Sequence, residues 1–187
     1  MTKIAVVTGG SRGLGKDMAL SIAAKGLDVI ITYNHQAEAA NEVVAAIEAM
    51  GRQAAALQLT LNQMSGIDAF LAGLQPVLDQ HFEGRRPDFL VNNAGMGATI
   101  PMAQATEAQF DEFLLVHFKT VYFLTQRLLP LMNDGGGIIN ISSGTTRFCI
   151  PGYSIYASMK GAIEVLTRYM AKEFGSTDDS HRYVNGI

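Results

Sequence analysis

With 187 residues, 48% of them hydrophobic and 17% charged, the chain has the composition of a globular domain with room for a sizeable core, which excludes the disordered and fibrous classes. A net charge of −3, a pI near 5.8 and no basic run longer than Arg85-Arg86 speak against a nucleic-acid or anionic-membrane partner. The one cysteine, Cys149, excludes an internal disulfide and a thiolate metal cluster, and reads as a small buried hydrophobe in a reducing compartment rather than a reactive thiol.

Met1-Thr2-Lys3 leads directly into an apolar run with no signal-peptide pattern, and no apolar segment reaches the ~20 residues that span a bilayer, so a soluble, cytoplasmic protein without membrane contact is expected. The run Ile4–Thr8 predicts a first strand, followed by the stretch Thr8-Gly9-Gly10-Ser11-Arg12-Gly13-Leu14-Gly15 and a helix over Leu14–Lys25. A second strand over Val29–Thr32 precedes a helix over Ala37–Met50, whose apolar positions Val43, Val44, Ile47 and Met50 keep helical spacing. Strands over Ala54–Leu59, Phe89–Asn92 and Ile138–Ile141 alternate with helical segments over Ile67–Phe82, Ala105–Leu131 and Ser154–Phe174. Gly26, Gly51 and Gly175 follow three of these helices, where a left-handed C-cap is wanted, and Pro101 and Pro130 bracket the longest helical region.

Strands separated by helices cannot pair as tight hairpins, so the alternation predicts an α/β fold, a doubly wound parallel sheet with helices on both faces. No repeat, low-complexity tract or linker divides the chain, and residues 1–187 read as one domain. In such sheets ligands bind beyond the carboxyl ends of the strands, where strand order reverses. Three unusual segments fall there: the glycine-rich stretch after the first strand, Asn92-Asn93-Ala94-Gly95 after the fourth and Ser142-Ser143-Gly144 after the fifth.

Glycines at 9, 13 and 15 permit a tight turn and close backbone approach, and the helix that follows offers unpaired N–H groups and a positive end to a pyrophosphate. By itself such a loop is equally a plain strand-to-helix turn; placed after the first strand and beside the other two segments, it points to nucleotide binding. Near the other end of the chain, Tyr156 and Lys160 lie four residues apart on one helix face, close enough to cooperate. Alone, that spacing is equally two amphipathic side chains on a wet surface. His35, His81, His117 and His181 show no ligand spacing, so no metal is expected.

Together, T-G-G-S-R-G-L-G at 8–15, N-N-A-G at 92–95, I-S-S at 141–143 and Y-A-S-M-K at 156–160 resemble the short-chain dehydrogenase/reductase family, in order and spacing over essentially the whole chain. Within it the chain is most similar to 3-oxoacyl-acyl-carrier-protein reductases and related NADP-dependent carbonyl reductases. The resemblance implies a Rossmann-type dinucleotide-binding domain, a nicotinamide cofactor, hydride transfer to or from a small-molecule carbonyl or alcohol, and a homodimer or homotetramer paired through the helices that begin near Ala105 and Ser154. The apolar residues Phe110, Phe113, Leu114, Phe118 and Val121 fit such an interface and a core equally.

On that resemblance Tyr156 is the general acid or base, Lys160 favours its phenolate and holds the nicotinamide ribose, and Ser143, thirteen residues before Tyr156, bonds the same substrate oxygen. A free phenol, with a pKa of about 10, is a poor base at neutral pH. One ammonium at ~4 Å and an effective dielectric near 20 is worth about 4 kcal/mol to the phenolate before desolvation takes some back. The implied cofactor-binding positions are Gly9, Ser11, Arg12, Gly13, Leu14 and Gly15 in the first loop, Tyr33 and Asn34 after the second strand, Thr60 after the third, and Asn92, Ala94 and Gly95 after the fourth, with Tyr156 and Lys160. An acid after the second strand would favour NAD(H) and repel a 2′-phosphate. Tyr33-Asn34-His35 stands there instead, and Arg12 offers a cation, so NADP(H) is expected over NAD(H).

Tyr153, without a lysine four residues on, suits packing or substrate contact, and Ser142, alternating with Ile141 and Ile139, suits a backbone role. His117 replaces the family's asparagine, which supports the lysine through a water and kinks the long helix, so it reads either as part of an altered proton relay or as a satisfied structural histidine. Thr60 replaces an aspartate that contacts adenine, and its hydroxyl replaces part of that bond. The ending H-R-Y-V-N-G-I resembles the family's sixth strand, with an unusual link over Gly175–His181, and reads as a fold truncated before the Pro-Gly turn, covering helices and last strand. His117 and this ending leave a second reading open, a nucleotide-binding regulatory or scaffold protein without turnover.

Overall fold

Six short runs form the parallel sheet of the computed structural model, which describes residues 2–175 and 183–186. They are β1 (Ile4–Val7), β2 (Asp28–Tyr33), β3 (Ala54–Gln58), β4 (Phe89–Asn92), β5 (Gly137–Asn140) and β6 (Tyr183–Gly186), ordered β3-β2-β1-β4-β5-β6. Every neighbouring pair is parallel. The order reverses between β1 and β4, which opens the crevice that doubly wound sheets use for ligands. Most of the link expected over Gly175–His181 lies outside the described residues.

Strand burial shows why these runs fold this way. All four residues of β1 are buried, as are the first five of β2, the pattern of strands covered on both faces. Alternate side chains go to opposite sides. Ile4, Val6, Ile30, Leu90 and Ile138 pack beneath α3 (Ser65–His81) with Phe70, Leu74 and Leu78. Val7, Val29, Ile31 and Val91 pack against Ala19 and Ala23 of α1 (Gly13–Ala24) and Val43 and Ile47 of α2 (Ala37–Ala49). Small alanines on α1 let that helix lie close to the sheet, which brings its N-terminus to the crevice.

The expected helix over Ala105–Leu131 is instead two helices, α4 (Glu107–Leu114) and α5 (Thr120–Leu128), joined by a π-helical turn over Leu115–Lys119 and closed by a 3-10 turn over Leu129–Leu131 that contains Pro130. Its start is set by a capping box: the Gln109 amide donates to Thr106 Oγ1 at 3.2 Å and the Thr106 amide to Gln109 Oε1 at 3.0 Å. The wider π turn carries one extra residue, and it places His117 in the interior at 1% exposure. Phe113 is buried on the same side and Phe110 is 44% exposed, so the apolar stripe divides between core and surface.

Gly26 and Gly51 take the expected left-handed conformation, with φ of 91° and 75°. Gly175 does not: at φ −89° it continues the right-handed path of α6 (Ser154–Phe174), its amide bonded to the Ala171 carbonyl at 3.2 Å. Cys149 also departs from expectation. It is exposed, because it falls in the loop after β5 between exposed Phe148 and Ile150 rather than in an element that packs on the core. Among the described residues no helix is long and apolar enough to cross a membrane.

Candidate active site

Thr8, just past β1, ties the two loops of the crevice together. Its Oγ1 accepts from the amides of Asn93 at 2.9 Å and Ala94 at 3.0 Å, and donates to the Val91 carbonyl at 3.2 Å. Asn93 Nδ2 returns a bond to the Thr8 carbonyl at 2.9 Å. These contacts draw the glycine loop against β4 so tightly that a Cβ on Gly9, which has φ 67°, would lie 2.9 Å from Ala94 Cα. A Cβ on Gly15 would lie 2.2 Å from the Gly9 carbonyl oxygen. The glycines are therefore a steric requirement of this fold of the loop. Arg12 gives α1 no side-chain cap and its first turn carries no acid, which leaves the positive end of the helix open to an anion.

A cleft of about 990 Å³ runs from this loop to the start of α6. Gly9, Ser11, Arg12, Gly13, Leu14 and Gly15 line one end with Tyr33 and Asn34, while Ala94, Gly95, His117, Ser143, Tyr156 and Lys160 line the other. Two expected positions fall outside. Thr60 does not border the cleft, its carbonyl packing against Gly66, and Leu59, Leu61 and Asn62 line the wall there. Asn92 is buried inside the fold, where Nδ2 donates to Thr125 Oγ1 at 3.1 Å and Asn140 Oδ1 at 2.8 Å. Asn93 lines the cleft instead, being the first residue past the strand, whereas Asn92 is still held between neighbouring strands.

Tyr156 and Lys160 stand one turn apart on α6. The Tyr156 ring is set by an edge-on contact with His117, centroids 5.1 Å apart, and a second with Tyr153 at 6.3 Å. Tyr153, whose hydroxyl lies 3.3 Å from Thr99 Oγ1, lines the cleft as well. Lys160 is buried, its Nζ 5.7 Å from the Tyr156 ring centre and donating to the Ile141 carbonyl at 2.7 Å. Burial lowers its pKa from 10.5 to about 8, which still leaves a cation at neutral pH.

Ser143 is oriented by a residue the motif spacing does not mark. Its Oγ accepts from the Thr145 amide at 3.2 Å and from Thr145 Oγ1 at 2.9 Å. With the Thr145 hydroxyl donating as well as the amide, the arrangement leaves the Ser143 proton free for a ligand oxygen. The sequence signal for Thr145 is the local Ser-x-Thr pattern, which favours bonds two residues on.

His117 Nε2 lies 2.8 Å from the Met96 carbonyl and 3.3 Å from the Met96 amide. The shorter contact assigns the proton to Nε2, and Nδ1 is then a buried acceptor without a hydrogen-bond partner. Burial, and next the Lys160 charge, lower the His117 pKa from 6.5 to about 4, against the Met96 bond. The unfolded chain therefore binds a proton that the folded one refuses, so stability falls with pH between 6.5 and about 4. Urea unfolding at pH ~4.5 should show a His117 contribution less favourable than at pH ~7 by on the order of 2–3 kcal/mol, and His117→Asn should lack that part of the slope. An unchanged slope in the variant would contradict the assignment.

The family model for short chain dehydrogenase matches residues 3–179. A hydroxynaphthalene reductase of Aspergillus fumigatus is 38% identical over 173 residues, 92% of this chain and 61% of that protein. The short-chain dehydrogenase/reductase FrzI of Cladobotryum is 34% identical over 183 residues, 98% of this chain and 67% of the relative. Among solved structures, LugOII, a promiscuous reductase that catalyses keto-reduction at C1 during lugdunomycin biosynthesis, superposes with a TM-score of 0.93 at 37% identity, over 98% of this chain and 72% of that one. The angucycline C-6 ketoreductase LanV with bound NADP gives 0.90 at 37% identity, over 93% and 68%. Order of strands, tight glycine loop and sequence likeness all converge, and the chain belongs to the short chain dehydrogenase family.

Proposed function

We propose that this protein is an NADP(H)-dependent reductase in which Tyr156 passes a proton to the oxygen of a ketone and Ser143 holds that oxygen. The carrying observation is that Ser143, Tyr156 and Lys160 share one cleft with the glycine loop, and that the Thr145 amide and hydroxyl both contact Ser143 Oγ, at 3.2 and 2.9 Å. With the Thr145 amide and hydroxyl both directed at its oxygen, Ser143 is placed to donate its own proton, which is the role a carbonyl oxygen demands. The cationic Lys160 favours the phenolate left on Tyr156 after proton transfer.

The residues present fit a dinucleotide. The uncapped end of α1, the glycines that keep the loop thin and the partnerless buried Oδ1 of Asn34 in the same cleft are what a pyrophosphate and a ribose hydroxyl require. When bound, NADPH supplies the hydride. Gly9 to Gly15 would hold its phosphates, and Tyr33, Asn34 and Arg12 the adenosine side. Exposed Arg12 suits a 2′-phosphate, while the one acid among the lining residues, Glu112, lies before the π turn on α4 rather than at the end of β2. Arg12→Ala should weaken NADPH about tenfold and NADH by less than about twofold in a fluorescence titration. Equal losses for the two nucleotides would remove Arg12 from the 2′-phosphate.

Support for an aromatic ketone as substrate comes from the relatives, a hydroxynaphthalene reductase and an angucycline ketoreductase, and from Tyr153 and Met96, which line the cleft with Tyr156. Oxidation of NADPH in the presence of fused-ring aromatic ketones, set against aliphatic ketones and β-ketoacyl thioesters, tests the assignment; nucleotide binding without turnover on any of them overturns it. Pairing of two copies is part of the same proposal. It is supported by the groove between α5 and α6, where Tyr122, Val165 and Tyr169 are 42%, 45% and 64% exposed.

A further inference from the structure

We infer that Glu164 is a positioning residue that locks the Ser143 loop to the helix carrying Tyr156 and Lys160. This deepens the reductase reading and rests on it. Glu164 follows Lys160 by four residues and Tyr156 by eight, so α6 presents all three along one side. Its Oε1 accepts from Ser142 Oγ at 2.8 Å and from Thr146 Oγ1 at 2.8 Å, two hydroxyls that flank Ser143 on either side. Thr146 Oγ1 also lies 2.9 Å from the Ser143 carbonyl, and Ser142 Oγ lies 3.5 Å from the Lys160 carbonyl.

The geometry between these contacts is a single 3-10 turn, Gly144–Thr146, for which Ser143 is the N-cap through its bond from the Thr145 amide. Fixing both ends of that turn to one carboxylate fixes the direction in which Thr145 approaches Ser143, and so the direction left for the Ser143 proton. No other contact described for Ser142 and Thr146 reaches a charged group. The charges facing Glu164 are Arg147 on the loop and Arg168 on α6; the hydrogen bonds from Ser142 and Thr146, with those two cations, hold its carboxyl below the usual range. The carboxylate is therefore ionised throughout the neutral range and available as a double acceptor.

The test compares Glu164→Ala with Glu164→Gln, which keeps an oxygen acceptor at the same reach. In Glu164→Ala, kcat for the ketone should fall about tenfold or more while the NADPH Kd stays within about twofold, because a small misplacement of Ser143 affects the reaction and not the glycine loop. Glu164→Gln should keep kcat within about threefold. Combining Ser142→Ala and Thr146→Val should cost about as much as Glu164→Ala and add little to it, since all three break the same clasp. Hydrogen exchange read on the protein without substrate should show faster exchange of the 143–148 amides in Glu164→Ala, with β5 unchanged. Normal protection there, additive losses, or a glutamine variant as impaired as the alanine one would each overturn the inference. Loss of turnover in the unaltered protein would instead count against the reductase assignment, and the exchange measurement would still decide the clasp.

Discussion

Replacing Tyr156 with phenylalanine is expected to lower turnover about 10²- to 10⁴-fold and leave NADPH affinity within about twofold, the signature of a lost proton donor. The substitution removes one oxygen from a ring that His117 and Tyr153 already hold by edge-on contacts, so the phenyl group keeps its place. The glycine loop and the end of β2, where the dinucleotide is proposed to sit, do not touch this hydroxyl among the described contacts. Stopped-flow measurement of NADPH oxidation with a saturating ketone separates the chemical step from binding. Turnover within threefold of the parent would sink the assignment of Tyr156, and a parallel loss of nucleotide affinity would mean that the residue is structural.

The second large effect is expected from Gly15→Ala. The new Cβ would stand 2.2 Å from the Gly9 carbonyl oxygen and 2.6 Å from Asn93 Nδ2, and the nearer of these is backbone that cannot rotate away. Helix propensity favours alanine by about 1 kcal/mol, yet overpacking of this kind costs about 1–3 kcal/mol or more, so the net sign is unfavourable. The loop must lift off β4 to accept the methyl group. That shift disturbs both the Asn93 bond to Thr8 and the open end of α1, and NADPH affinity should drop more than about tenfold with a lower Tm. Gly161→Ala on α6, where an added Cβ meets nothing within 4 Å, is the control, expected to be neutral or slightly stabilising. Calorimetry and nucleotide titration on both variants check the contrast; equal behaviour would mean that the glycine at 15 is not there for steric reasons.

Placement of site residues shows how far local pattern reaches. Ser143, Tyr156 and Lys160 line one cleft with Gly9, Gly13 and Gly15, as motif order and spacing led one to expect. Neighbouring positions were not resolved in the same way. Asn92 and Asn93 are identical side chains one residue apart, and only the pairing of β4 with β5 turns the first inward to Asn140 and leaves the second to the crevice. Thr145 is marked only by the short Ser-x-Thr pattern, and Glu164 by nothing local, its relevance coming from a loop and a helix that meet at the end of the sheet.

What the amino-acid order determined alone is the alternation of β-branched strands with helical periods, and hence a parallel sheet whose loops after β1, β4 and β5 share one edge; these follow from hydrophobic periodicity and from the need of parallel strands for crossovers, both local properties. What tertiary structure decided is which polar atoms find partners. The π turn that buries His117 with Nδ1 unpaired, the right-handed end of α6 at Gly175, the exposure of Cys149 and the orientation of Ser143 each depend on atoms contributed by packing or by loop geometry. These hydrogen bonds and burials are settled by loop geometry and by elements packed together in space, and a periodicity of two or of 3.6 residues carries no information about them.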